Sequence, residues 1–274
     1  MAGENNPYER DPMNAFDFYF SDISERDGAR QHALKDRPME TQKLMDVLSA
    51  ETLLHYALWV ELPKGHPTGE LWLETNTDIR ASIYLAYGGY FRQALTVLRS
   101  WFEISVLGVY FGAHYGQPTG RFEQWKRGVR NAPVKMKTIC QSLEKRNDRS
   151  KSSGSTDLCA KLVPLHKSLS EHVHCRGIDV HDLQGGRDNV PRYLEHSFTK
   201  WYQSVLDVFD AICFLFDEFY QNELRKYLLK APVELKRAKA YSSRLEMDVP
   251  DLKRFVENAI ARVSQVNEKK NMRK

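Results

Sequence analysis

Four of the nine histidines in this 274-residue chain fall within sixteen residues, in the run His166-Lys167-Ser168-Leu169-Ser170-Glu171-His172-Val173-His174-Cys175-Arg176-Gly177-Ile178-Asp179-Val180-His181. On a helix His166, Ser170 and His174 recur every four residues, forming a polar line beside the apolar stripe Leu162, Leu165, Leu169 and Val173. Imidazole exchanges protons near neutral pH and guanidinium keeps its charge, so the histidines and arginine of this run suit acid–base chemistry on a phosphodiester. Three other readings use the same residues. His172, His174, Cys175 and His181 have the donor types of a zinc site, but His172 and His174 are two apart and point to different helix faces. Cys175 has the chemistry of a nucleophile without any accompanying signature. Histidines at a helix end also serve as polar caps. Arg99 and Glu103, four apart on a mostly apolar helix, read as an ion pair. Alternatively they face the histidine line and orient His174 or a phosphate.

Positioning these groups falls to helices. Apolar residues recur at helical spacing from Met39 to Leu62, where Pro63-Lys64-Gly65 ends the pattern, and again from Gly69 to Tyr87. Between Tyr90 and Tyr115, Phe91, Leu95, Leu98, Phe102, Ser105 and Val109 alternate steps of four and three, and Ala94, Trp101, Val106 and Tyr110 widen that stripe. Such a helix is buried on most sides. A basic helical hairpin follows, broken at Asn131-Ala132-Pro133. Ser155-Thr156-Asp157 offers N-caps to the helix carrying Leu158, Leu162, Leu165 and Leu169, which Gly177 ends. A long helix beginning near Pro191 brings Trp201, Tyr202, Phe209, Phe216, Phe219 and Tyr220 to a core or dimer surface and Asp207, Asp210 and Asp217 to its wet face. Amphipathic pieces at Val233 to Leu245 and Pro250 to Gln265 finish the chain, and no two-residue alternation is sustained. The expectation is an all-α bundle of about five longer helices with short peripheral ones. It divides into an irregular arm (1–38), the bundle (39–230) and a basic helical extension (231–274).

A composition of 42% hydrophobic and 28% charged residues excludes disordered and fibrous classes. Cys140, Cys159, Cys175 and Cys213 are dispersed without a C-x-x-C pair, which fits a reducing cytoplasm. No signal-peptide pattern opens the chain, and the longest apolar run, Ile104 to Ala113, is about half the ~20 residues of a membrane span, so no membrane partner is expected. P-loop, Rossmann, H-E-x-x-H, G-x-S-x-G and EF-hand patterns are absent. The net charge of +4 hides a division: residues 121–151 hold ten Lys/Arg against three Asp/Glu, and residues 225–274 hold fourteen against six. Lys126, Arg127, Arg130, Lys135 and Lys137 of the first block are candidates to hold an RNA backbone, with the salt dependence of counterion release. Solvated helix faces account for the same composition.

Arg176-Gly177-Ile178-Asp179-Val180-His181 resembles the Arg, four to six residues, His element of HEPN-superfamily ribonucleases. The helix Ala94-Leu95-Thr96-Val97-Leu98-Arg99-Ser100-Trp101-Phe102-Glu103 is similar to the A-x-x-x-L-R-S-x-x-E helix of bacterial HEPN-like proteins, and Leu169-Ser170-Glu171-His172-Val173-His174 to their L-S-x-x-V-H element. The resemblance spans Ile79 to Tyr220 and implies a cytoplasmic, metal-independent endoribonuclease acting as a toxin or antiviral effector. It implies no cofactor and a homodimer with the site across its two-fold axis. His181 would serve as general acid or base and Arg176 would stabilise the phosphorane. Arg99, Glu103, His166, Ser170, His172 and His174 would surround them. In the other register His174 is the family histidine and the Arg is missing. That arrangement implies a non-catalytic module binding a partner protein or a nucleotide.

Overall fold

The computed structural model describes residues 28, 30–116, 120–129, 135–146, 157–173 and 193–258, with the side chains of His172 and Val173 outside that set. The fold is all-α, with no strand among the described residues. The helices are α1 (30–36), α2 (Pro38–Glu61), α3 (Pro67–Glu70), α4 (Trp72–Tyr87), α5 (Phe91–Ala113), α6 (Arg121–Lys126), α7 (Met136–Arg146), α8 (Leu158–Val173), α9 (Glu195–Lys230), α10 (Pro232–Leu245) and α11 (250–258).

α5 is the axis of the bundle. Every residue of its sequence stripe, from Phe91 to Tyr110, is buried, and it packs against α4, α8 and α9. By length and hydropathy alone this helix would be able to cross a membrane; in the fold 61% of that apolar stretch is buried against other helices. It follows α4 through a tight reversal at Gly88-Gly89. Tyr90 N–H donates to Leu85 C=O (2.9 Å) and Gly89 N–H to Ala86 C=O (3.0 Å), with Gly89 at φ +81°. These two bonds form a Schellman motif, whose left-handed residue favours glycine. Ser82 Oγ of α4 then donates to Ala94 C=O of α5 (2.8 Å) and accepts from Trp201 Nε1 of α9 (3.0 Å), so three helices share one buried hydroxyl.

α9 is 36 residues long and bends at Tyr220 (φ −129°, ψ 17°). The bend coincides with a buried polar knot, in which Thr68 Oγ1 donates to Gly108 C=O (2.9 Å) and lies 2.6 Å from the Tyr220 hydroxyl. Gly112 is obligatory there. A Cβ on it would lie 2.6 Å from both His66 Cε1 and Thr68 Oγ1, and closer still to the Tyr220 hydroxyl.

Three expectations need correction. The single helix expected over Gly69 to Tyr87 is two, because His66 and Pro67 start a separate short turn: Thr68 N–H donates to His66 Nδ1 (3.3 Å) before α4 begins at Trp72. The long helix starts at Glu195 rather than near Pro191. Asp210 and Asp217 do not sit on a wet face. Asp210 accepts from Lys161 of α8 (2.6 Å) and caps α11 through Asp251 N–H (2.8 Å). Asp217, 5% exposed, accepts from Arg254 Nε (3.1 Å), Asn258 Nδ2 and Gln221 Nε2. Helical spacing cannot reveal that α11 covers this face. The apolar side chains Ala238, Leu245, Val249, Leu252, Phe255 and Val256 of the C-terminal segment join the same core as α5 and α9.

Candidate functional site

α5 and α8 pack side by side and bring together three of the groups expected around the site. Arg99 and Glu103 lie one turn apart on α5, and Arg99 Nε donates to Glu103 Oε1 at 2.8 Å. The same oxygen meets His166 Nε2 of α8 at 2.7 Å. Ser170, one turn beyond His166, donates to the His166 carbonyl at 2.6 Å and so turns its hydroxyl back onto its own helix. Of the two readings for Arg99 and Glu103, the pair is present and its carboxylate also faces the histidine line, at His166.

These three side chains are neither sealed nor open: Arg99 is 18%, His166 25% and Glu103 34% exposed. Burial pushes the Glu103 carboxyl toward its neutral form, but hydrogen bonds from His166 and Arg99 and their charges outweigh it, so its pKa is lowered. An ionised Glu103 on Nε2 fixes the orientation of the His166 ring.

Pro164 precedes His166 by two residues and sits inside α8. It has no N–H to give the Ala160 carbonyl, so α8 runs through this point with one intrahelical bond fewer. The start of α8 is anchored firmly. Asp157 Oδ1 accepts from Ala160 N–H (2.9 Å), and Glu144 Oε1 of α7 accepts from Cys159 N–H (3.0 Å). Glu144, Asp157 and Cys159 present ligand atoms within 4.8 Å of one another. Both carboxylates are engaged in capping the helix. Cys140 lies beside them, its thiol pushed up to about 12 by burial and by neighbouring Cys159.

His174, Arg176 and His181 lie outside the described residues, as do Cys175 and Arg130; the backbone of His172 belongs to α8 while its side chain lies outside the described set. Of the basic candidates, Arg127, Lys135 and Lys137 are exposed. Lys126 bonds Glu70 (2.9 Å) and Glu123 (3.1 Å), which raise its pKa, and stands over the Phe122 ring. Its neighbours Arg121 and Arg146 are also engaged, with the Tyr110 hydroxyl (3.0 Å) and the Ala113 carbonyl (2.8 Å) at the end of α5.

Two buried polar clusters had escaped sequence reasoning. On α2, Glu51 and His55 are 0% and 3% exposed, with His55 Nδ1 3.1 Å from Glu51 Oε1, and Asn76 Nδ2 donates to Glu51 Oε2 (3.0 Å). A Glu and a His four apart inside an apolar stripe were the available signal. The second is the knot of His66, Thr68 and Tyr220, whose members are up to 154 residues apart in sequence and carry no local signature. Burial lowers the His66 pKa to about 4.

Against protein-family models, curated proteins and solved structures, the chain finds no match in any of the three comparisons.

Proposed function

We propose that the protein is a metal-independent endoribonuclease of HEPN type, with its acid–base centre at the end of α8. The observation that supports this reading is the contact of Glu103 with His166 at 2.7 Å, backed by Arg99 at 2.8 Å on the same carboxylate. An imidazole oriented by a carboxylate is the element that proton transfer at a phosphodiester needs.

In the proposed reaction His181 takes the proton of a ribose 2′-hydroxyl, O2′ bonds to phosphorus, and the bond from phosphorus to O5′ breaks. The leaving oxygen takes up a proton from an imidazolium, for which His174 and His166 are the candidates. Arg176 stabilises the charge on the phosphorane, and the exposed Arg127, Lys135 and Lys137 attract the RNA backbone. The proposal includes a homodimer and a reducing cytoplasm, and extends to a toxin or antiviral effector.

The test is incubation of the purified full chain with RNA in the presence of a chelator. Cleavage is expected, with products ending in 2′,3′-cyclic phosphate. A His174→Ala, His181→Ala double variant is expected to lose it by about 10²-fold or more. Undiminished cleavage by that variant rejects the assignment.

A second reading, a non-catalytic module that binds a partner, is favoured by one observation. Glu103 is engaged from both sides, the arrangement of an ion pair that fastens α5 to α8. Inert RNA under the same conditions supports it.

A further inference from the structure

The bundle carries a cleft that none of Arg99, Glu103 and His166 lines. Helices α1, α2 and α4 enclose it, with a volume of about 480 Å³, within the range of small-ligand sites. Leu44 and Tyr87 form its buried floor with Ile83 beside them. One polar point interrupts that floor, where the hydroxyls of Thr41 and Tyr87 meet at 2.6 Å. Tyr84 stands at the rim with 66% of its surface exposed.

The charges around the cleft are one-sided. Arg30 of α1 and Arg80 of α4 line it, and no carboxylate does among the described residues. Arg80 uses its Nε on Asn76 Oδ1 (2.8 Å), which orients the guanidinium. Glu40, the acid nearest in sequence, is bound by Arg37 at 3.1 Å.

We propose that this cleft binds a nucleotide, with its base against the Tyr84 ring over the Leu44–Ile83 floor and its phosphate between Arg30 and Arg80. Guanidinium pairs bind phosphate through parallel, charge-assisted bonds. Exposed aromatic rings bind bases by stacking, whatever the base. The choice of a base over an acyl chain follows from the floor. Thr41 Oγ1 donates to the Arg37 carbonyl (2.8 Å), so the Tyr87 hydroxyl donates to Thr41 and both oxygens keep acceptor capacity only, which the exocyclic amine of a base uses and a hydrocarbon does not. A free nucleotide and a nucleotide within RNA share this chemistry. The site stands whether or not the chain cleaves RNA.

Calorimetric titration of the full chain tests the assignment, with adenosine 5′-monophosphate, a pentaadenylate RNA, adenosine, inorganic phosphate and decanoate as probes. The monophosphate or the RNA is expected to bind with saturation, adenosine and phosphate at least about tenfold more weakly. Tighter binding of the RNA identifies its source as a strand; equal or weaker binding identifies a free nucleotide. Arg30→Ala and Arg80→Ala are each expected to cost about tenfold, and Tyr84→Ala about fivefold or more. All three residues are exposed, so the variants are expected to keep the native circular dichroism. The proposal is overturned if neither the monophosphate nor the RNA binds, if binding is indifferent to the three substitutions, or if decanoate binds as well as the monophosphate. Each outcome is independent of cleavage, so failure here leaves the ribonuclease reading to its own experiment.

Discussion

His66 and Glu103 respond to acid in different windows, which makes their contributions separable. Burial keeps His66 neutral down to about pH 4, whereas an unfolded histidine takes a proton near 6.5. Protons therefore favour the unfolded chain as pH falls from about 6.5 to 4, and the stability associated with neutral His66 is complete above that window. His114, whose pKa is lowered chiefly by burial, acts in the same direction. Glu103 carries a lowered pKa, so its stabilisation is present above the ordinary glutamate range and is lost below it. Thermal melts from pH 7.5 to 4.5 are expected to lose roughly 3–6 °C through His66. His66→Gln is expected to flatten that slope, the remainder belonging to His114. In the same knot Gly112→Ala forces a methyl group against three side chains, with an expected loss of about 2–3 kcal/mol by denaturant titration. Residue chemistry was legible where partners are close in sequence: Arg99 and Glu103 announce themselves by a spacing of four. That Glu103 meets His166, 63 positions away, follows only from how α5 and α8 pack.

Elements were more legible than their contacts. Every residue of the predicted α5 stripe is buried, and Gly108 and Phe111 join them, because a helix surrounded by others has few alternative ways to be apolar. Asp207 of α9 is exposed as its spacing suggested, but Asp210 and Asp217 misled, since spacing says which residues share a face but not what covers it. Asp210 and Asp217 face α11; Lys161 of α8 bonds Asp210 and also contacts Asp251, and Arg254 of α11 bonds Asp217. Removing one charge in this layer is expected to loosen α11 selectively. Asp217→Asn is predicted to cost about 1–2 kcal/mol. Hydrogen exchange is then expected to rise over residues 250–258 while α5 stays protected. The opposite pattern, with α5 exchanging and α11 unaffected, would contradict this arrangement. The reversal between α4 and α5 was visible as Gly88-Gly89, because a left-handed residue is a constraint that sequence states directly.

At the scale of the molecule, the core runs without interruption from α2 through α5 and α9 to α11. Leu245, Val249, Leu252 and Phe255 are buried in it, so a chain ending at Lys230 would expose apolar surface on α2 and α9 that these residues cover. Such a truncation is expected to aggregate or to melt at least about 10 °C lower than the full chain in a calorimetric scan. The all-α class was readable from periodicity, whereas the role of the last helices was hidden by their basic composition. The two ends of α8 meet this core differently. Before Pro164 the helix is gripped at its first turn by Glu144 and Asp157; after it, lateral support comes from Leu169 in the core and from the link between Glu103 and His166. The contact between Glu103 and His166 is thus the polar tie that holds the half of α8 beyond Pro164 to α5. Its loss would leave that half of the helix to the grip of Leu169 and its apolar neighbours.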